Sequence, residues 1–311
     1  MMEIIPEIQR NLLIQELNDD TFIRRTNNGN KEIFVIDNQN APNVVQEIGR
    51  LREISFRAAG GGTGKELDID EYDLEDNPFK QLVVWDPAHK EIVGGYRFKE
   101  GREILKTSDG NPNTPTSHLF CLCDDFVKDY LPTTIELGRS FVQPNYQPNY
   151  DLRKGLYSLD NLWDGLGCLT VDYSYVEHFF GKITMYPSFN VEARDFILFF
   201  LNTYFKDTRG LIEAKYPISY QFEEAYLSKN FVGDDYIKDY KTLNHKVRSL
   251  GENIPPLVNS YMNLSPSMKT FVTSVNERFG DVEETGILIR IEDIYPAKKD
   301  RHINNIVRER V

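Results

Sequence analysis

The chain has 311 residues, 40% hydrophobic and 27% charged, ample for a sizeable core built as one large domain or two smaller ones. Thirty-six basic residues against 48 acidic ones leave a formal charge of −12 without a local basic patch of useful size, which argues against a nucleic-acid surface. Cys121, Cys123 and Cys168 are an odd number without the paired spacing of a zinc site, so neither a disulfide framework nor a metal centre is expected.

The amino terminus lacks the basic start and long apolar run of a signal peptide, and the longest apolar run, Phe196 to Leu201, is far too short to span a bilayer; the cytoplasm is the expected location. A short amphipathic segment places Ile5, Ile8, Leu12 and Leu13 on one side. Polar Asn27 to Asn30 follows, and Ile33 to Ile36 reads as the first strand. Pro42 opens an amphipathic helix to about Arg57 on the spacing of Val44, Val45, Ile48 and Leu51. The run Gly60 to Lys65 is not a phosphate loop, which needs Gly in place of Ala59 and Ser or Thr in place of Glu66; a flexible loop is expected. Asp68 to Asp73 lacks the glycine and terminal glutamate of a calcium loop and reads mostly as a solvated acidic turn.

Gln81 to Trp85 and Ile92 to Phe98 form a hairpin around Asp86 to Lys90, with Arg97 near the end of its second strand. Gly110 to Pro115 is a loop, and Leu119 to Tyr130 fits either a strand or a helix. Ile135 to Val142 is a strand with two charges, Glu136 and Arg139, embedded where burial is costly unless they pair or work. A loop from Gln143 to Tyr150 leads to a helical stripe at Leu156, Leu159, Leu162, Trp163, Leu166 and Leu169, and then to a strand from Phe179 to Met185 that Pro187 stops. Strand, loop, helix, strand is the unit that joins parallel strands, and ligands favour the carboxyl ends of such strands. Ser188 or Asn190 can cap a helix to about Phe205 that buries Phe196, Ile197, Phe200 and Tyr204. Residues 211–262 read as mostly helical, broken at Pro255-Pro256, and strands at Phe271 to Phe279 and Gly286 to Ile291 turn around Gly280-Asp281. The tail from Lys298 to Val311 carries five basic and two acidic residues and reads as solvated and frayed.

This order of elements resembles the GNAT acyltransferase fold, and more closely its hemolysin-like branch containing ornithine lipid N-acyltransferases, related to the acyl-homoserine-lactone synthases. The residues that carry the resemblance are Arg52 to Arg57, Asp70 to Asp73, Gly94 to Phe98, Glu136 to Arg139, Phe179 to Met185, Ile254 to Leu264 and Asp281 to Ile291. It implies an α/β (α+β) protein, a GNAT-like mixed sheet flanked by helices, with 1–311 as a single domain including a mostly helical insertion at about 211–262. It also implies long-chain acyl groups, carried as acyl-phosphopantetheine on acyl carrier protein or as acyl-coenzyme A, moved to an amino acid or related amine, with no permanently bound cofactor. The sequence departs from the family at two points. The glycine loop that holds the coenzyme A pyrophosphate is reduced to Arg153, Lys154, Gly155 and Leu156, and the family's Glu-Leu-Ser-Arg stands here as Glu136-Leu-Gly-Arg139.

Amide formation needs a neutral amine and therefore a proton acceptor. Glu136 is the best-placed carboxylate, with burial expected to raise its pKa; a structural ion pair is the competing reading. Period-two alternation separates Glu136 from Arg139 unless a bulge re-aims one of them, and the resemblance implies such a bulge, with thioester-polarising amides near Phe141 and Val142. Arg97 and Asp73 complete the polar cluster, Arg97 gripping an acceptor carboxylate or else forming only a surface salt bridge. His178 and His118 are alternative bases. Phe56, Trp163, Leu166, Phe179 and Phe180 line an acyl tunnel or serve as plain core.

The expected function is long-chain acyl transfer, plausibly of a 3-hydroxylated chain, from acyl carrier protein to an amino acid such as glycine or ornithine. Coenzyme A-dependent acetylation of a small amine and a non-catalytic GNAT-like module are the alternatives. An acidic carrier protein would dock on Arg153 and Lys154, with Arg24 and Arg25, and the amphiphilic product adds contact with the inner membrane face as an expectation.

Overall fold

Apolar spacing and local caps account for most of the elements, which the computed structural model describes over residues 1–304 and 306. In chain order these begin with α1 (Arg10–Glu16), β1 (Phe22–Arg25), β2 (Glu32–Ile36) and α2 (Pro42–Ala58), which has Pro42 in its first turn. Then come α3 (Glu71–Leu74), the hairpin β3 (Lys80–Asp86) and β4 (Glu91–Glu100), and β5 (Phe120–Leu122). A π-helical turn at Phe126–Tyr130 follows, so Leu119 to Tyr130 is strand and then helix. β6 (Thr134–Val142), α4 (Leu152–Gly155), α5 (Ser158–Asp172) and β7 (His178–Met185) form the central stretch. The remainder is α6 (Val191–Tyr204), β8 (Ile212–Ala214), α7 (Glu224–Ser228), α8 (Tyr236–Ser249), α9 (Pro256–Met262), β9 (Lys269–Asn276), β10 (Val282–Arg290) and α10 (Pro296–His302). The class is the expected α/β sheet flanked by helices.

Two compact units divide the chain, one formed by residues 1–104, 133–177 and 295–311, the other by residues 105–132 and 178–294. In the first unit the strand order is β1-β2-β3-β4-β6, every neighbouring pair antiparallel. Leu82 of β3 lies against Gly165 of α5, whereas its neighbour Gln81 meets Arg52 of α2. Successive strand residues face opposite ways, so α2 and α5 cover opposite faces of this sheet. In the second unit β10 pairs antiparallel with both β7 and β9, and β5 with β8. The core of that unit gathers Phe180, Phe126 and Phe271, with the Phe180 ring 5.2 Å from Phe126 and 6.2 Å from Phe271.

Several expectations need correction. The first strand is β1 and not the one at Ile33 to Ile36; Arg24 and Arg25 mask the alternation of β1. Leu156 is not part of the buried stripe: α5 begins at Ser158 and Leu156 is exposed. Asn190, not Ser188, caps α6, its side chain accepting from the Ala193 amide. The glycine run is tied down, because the Glu53 carboxylate accepts from the Thr63 amide and hydroxyl at 3.0 and 2.8 Å and from the Gly64 amide at 2.7 Å. Those amides are therefore already satisfied. Nor is the start of the tail frayed. His302 is buried with Nδ1 2.7 Å from the Asp164 carboxylate on α5, and Gly167 lets the His302 carbonyl approach that helix. The rest of that expectation falls on residues 305 and 307–311, outside the described residues.

Close crossing of β4 and β6 depends on one glycine. A Cβ on Gly94 would lie 2.3 Å from the Phe141 carbonyl oxygen and 3.1 Å from the Val142 Cα, both backbone atoms that cannot move aside cheaply. Gly94→Ala is expected to destabilise the protein by about 1–3 kcal/mol, seen as a lower midpoint of denaturant unfolding at unchanged slope. An unchanged midpoint would refute this close approach.

Candidate active site

Strand register places the polar residues of the first unit on one face of its sheet. Gln81 pairs with Arg97, Arg97 with Gly138, and Lys99 with Glu136, and residues directly opposite each other in a ladder share a face. Gln81, Arg97, Lys99 and Glu136 are all buried, on the side covered by Arg52 of α2. Polar groups buried together must satisfy one another, and this set recruits the acidic segment that follows the glycine run.

That segment is not a solvated turn. Asp68 is 0% exposed and Asp73 1%. Asp70 caps α3 by accepting from the Tyr72 amide, while its own amide donates to Asp73 Oδ2 at 3.2 Å. This reciprocal cap aims the Asp70 and Asp73 carboxylates inward. Arg52 donates from Nε to Asp68 at 3.2 Å and from Nη2 to Asp73 at 2.9 Å. Arg97 Nη1 donates to Asp70 at 2.6 Å and Asp73 at 3.0 Å, and Gln81 Nε2 donates to the other Asp73 oxygen at 2.9 Å. Two guanidinium groups and one side-chain amide thus face three carboxylates. Burial works against the charge of Arg97, yet Asp73, Asp70 and Asp68 carry its pKa above the ordinary value. Burial would likewise raise the Asp70 carboxyl, but the charge and hydrogen bond of Arg97, helped by Arg139 and Arg52, hold it below its ordinary 3.8. The Tyr72 hydroxyl is pushed up to about 12 by burial and by the charges of Glu71, Asp70 and Glu136, which puts Glu136 in the same electrostatic neighbourhood.

Arg139 joins through a bulge. Gly95 pairs with Phe141 and Arg97 with Gly138, so β6 holds one residue more than β4 over this interval, and Arg139 sits in the left-handed region at φ +49°. Its Nε reaches the Asp68 carboxylate at 2.8 Å, and its side chain is 17% exposed where that of Arg97 is 2%. Phe141 and Val142 are back in register with Gly95 and Gly94, so the irregular amides belong to Arg139 and Ser140.

At the reduced glycine loop, Asp151 accepts through its side chain from the amides of Arg153 at 2.9 Å and Lys154 at 3.0 Å, and its carbonyl accepts from Gly155 at 2.8 Å. An added Cβ on Gly155 would meet the Pro148 nitrogen at 2.6 Å. The amides that would hold a pyrophosphate are engaged within the loop itself. Lys154 Nζ lies 3.5 Å from Glu91 and 5.1 Å from the Tyr146 ring centre, and Arg153 is exposed.

Of the residues singled out in the sequence, Arg97, Asp73, Glu136 and Arg139 come together in the first unit. Arg97 is a member of a buried network and not of a surface salt bridge. Phe56 on α2 and Trp163 on α5 lie on opposite faces of that sheet, with the Trp163 ring 6.5 Å from His302. Phe179 and Phe180 belong to the second unit, as do His178, whose ring is 5.2 Å from Tyr130, and His118, 3.4 Å from Arg278. Sequence reasoning missed Arg52, Asp68 and Gln81 as site members. The available signal was that Gln81 and Arg97 must pair if the hairpin turns around Asp86 to Lys90.

Residues 51–153 match the GNAT acetyltransferase domain family, an interval that contains the whole network. Two bacterial proteins are similar over nearly their full lengths. A glycine N(alpha)-acyltransferase of Phocaeicola vulgatus is 53% identical over 99% of this chain and 95% of its own, and one of Bacteroides thetaiotaomicron is 52% identical over 99% and 91%. A solved structure of a CoA-dependent acyl-homoserine lactone synthase, BjaI, with MTA, is 11% identical over 93% of this chain and 92% of its own, at a TM-score of 0.37. The chain thus carries a GNAT acetyltransferase domain at residues 51–153. The chain belongs to the N-acyltransferase family of these two bacterial proteins and is an enzyme that forms amides by acyl transfer.

A depressed Asp70 pKa carries a signed consequence. Its contribution to stability is complete above pH about 4 and is lost as pH falls towards the folded value. Asp70→Asn is expected to lower Tm at pH 7 and to flatten the decline of Tm below pH about 4. Parallel curves for variant and wild type would exclude this linkage.

Proposed function

We propose that this enzyme transfers a long-chain fatty acyl group from the phosphopantetheine thioester of acyl carrier protein to the amino group of glycine. The observation that carries the acceptor is the name shared by two relatives more than 50% identical over almost the whole chain. The donor rests on the loop around Gly155. Its amides are engaged by Asp151, while Tyr150, Leu152 and Leu156 are 74, 69 and 60% exposed beside Arg153. A mixed apolar and cationic surface suits an acidic carrier protein better than a free pyrophosphate.

In the reaction the glycine nitrogen attacks the thioester carbonyl carbon, the C–N bond forms as the C–S bond breaks, the phosphopantetheine leaves with the bonding electron pair as its thiolate, and the nitrogen gives up a proton. Glu136 takes that proton. It lies on the polar face of the sheet, opposite Lys99 and next along that face from Gly138 and the bulge. Arg139 is the more exposed cation of the network and faces the acceptor's carboxylate, whereas Arg97, held by Asp70 and Asp73, positions the other groups. The developing oxyanion is held by amides of the irregular stretch of β6.

Glu136→Gln keeps size and removes the base, so turnover should fall by about a hundredfold to ten-thousandfold with folding intact, and the deficit should shrink at high pH where more amine is neutral. A variant that melts well below wild type while its folded fraction turns over normally would make Glu136 scaffold.

The donor is tested by Arg153→Glu with Lys154→Glu. The Michaelis constant for acyl carrier protein should rise while that for an acyl-pantetheine thioester changes little. Equal loss with both donors counts against docking, and efficient use of acetyl-coenzyme A would reject the donor. Mass spectrometry of lipids from expressing cells should reveal new N-acylglycines.

A further inference from the structure

We infer that the acceptor amino acid lies over Gly138 of β6, in the space that this residue leaves open between Glu136 and Arg139. The inference rests on the amino-acid acceptor proposed above and names the residue that makes room for it.

Packing and conformation give Gly138 no reason to be glycine. The paired strands β4 and β6 hold three glycines, and two of them are crowded by backbone. An added Cβ would lie 2.3 Å from the Phe141 carbonyl oxygen at Gly94 and 2.5 Å from the Leu82 carbonyl oxygen at Gly95. At Gly138 an added Cβ would meet nothing within 4 Å, and the φ of Gly138 is not in the left-handed region. Any side chain small enough for the space would therefore strengthen the strand, since glycine in a strand interior loses conformational freedom and packs nothing. A glycine kept under these conditions marks a place where a ligand comes close to the backbone.

The open space has a defined position on the sheet. Gly138 pairs with Arg97 and Glu136 with Lys99, so the missing Cβ points to the polar face. Glu136 stands two residues back on that face, about 7 Å away by the rise of a strand. Arg139 follows immediately, at the bulge. An amino acid over Gly138 directs its amine towards Glu136 and its carboxylate towards Arg139, which is the orientation that proton transfer and carboxylate binding both require.

The charge network also opens at this end. The side chains of Asp70 and Arg139 are 21 and 17% exposed, whereas those of Arg52, Arg97, Asp68 and Asp73 are 2% or less. Arg139 Nη2 lies 3.9 Å from Asp70 Oδ2, a loose pair with which an incoming carboxylate can compete. The buried members hold the scaffold, and the two exposed members border the space.

The test compares initial rates of wild type, Gly138→Ala and Gly138→Val with an acyl-pantetheine thioester as donor, so that docking of acyl carrier protein does not enter. The Michaelis constant for free glycine should rise about tenfold or more in Gly138→Ala and further in Gly138→Val. That for the donor should change little. Tm should stay level or rise, because a residue that suits a strand replaces one that does not. A wild-type Michaelis constant for glycine in both variants would overturn the inference, and so would a rise in the donor's constant alone, which would give the space to the thioester. A lower Tm with normal turnover by the folded fraction would overturn it too, making Gly138 a packing residue. If wild type acylates another amine and not glycine, the acceptor named above fails by itself, and the same comparison with that amine decides whether Gly138 makes its room.

Discussion

A buried exchange of charge organises the first unit. Arg52, Arg97 and Arg139 come from α2, β4 and β6, and Asp68, Asp70 and Asp73 from the single segment that leads into and through α3. Each ion alone would be expensive to desolvate, and removal of one partner from such a pair typically costs about 3–5 kcal/mol. Their mutual pairing is therefore a constraint on where the helix, the acidic segment and the two strands must sit. The candidate site lies among the same residues that hold the scaffold together.

The bulge in β6 is the local consequence. A regular strand would turn Glu136 and Arg139 to opposite faces, and the extra residue at Arg139 and Ser140 brings Arg139 onto Asp68 while Glu136 stays opposite Lys99. A non-glycine residue at positive φ is mildly strained, and the salt bridge to a fully buried carboxylate offsets that strain. Gly94 on β4 admits the close approach of β6, since a Cβ there would lie 2.3 Å from the Phe141 carbonyl oxygen, and Gly95 does the same for β3, where a Cβ would lie 2.5 Å from the Leu82 carbonyl oxygen. Backbone geometry and charge pairing agree at this point in the sheet.

A similar economy marks the loops. The glycine run that suggests phosphate binding spends its amides on Glu53, and the reduced loop at Gly155 spends its own on Asp151. In both places a carboxylate of the chain occupies the position an anionic ligand would take. In the proposed reading, donor recognition falls to the exposed side chains around Arg153.

Much of the architecture was legible in the sequence because period and punctuation are local properties. Pro42 and Asn190 mark helix starts, Pro255-Pro256 marks a helix break, the alternation of β3 and β4 around Asp86 to Lys90 marks a hairpin, and the charges at Glu136 and Arg139 stand out against an apolar strand. What the sequence could not decide was which charges are buried. Asp68 to Asp73 has the composition of a solvated turn, and Arg52 sits in an amphipathic helix like any surface arginine. They become interior only because strand register sets Gln81, Arg97 and Gly138 in one row facing α2. Burial of a charge depends on a partner supplied from elsewhere in the chain, and pairing over that distance is a property of the tertiary fold.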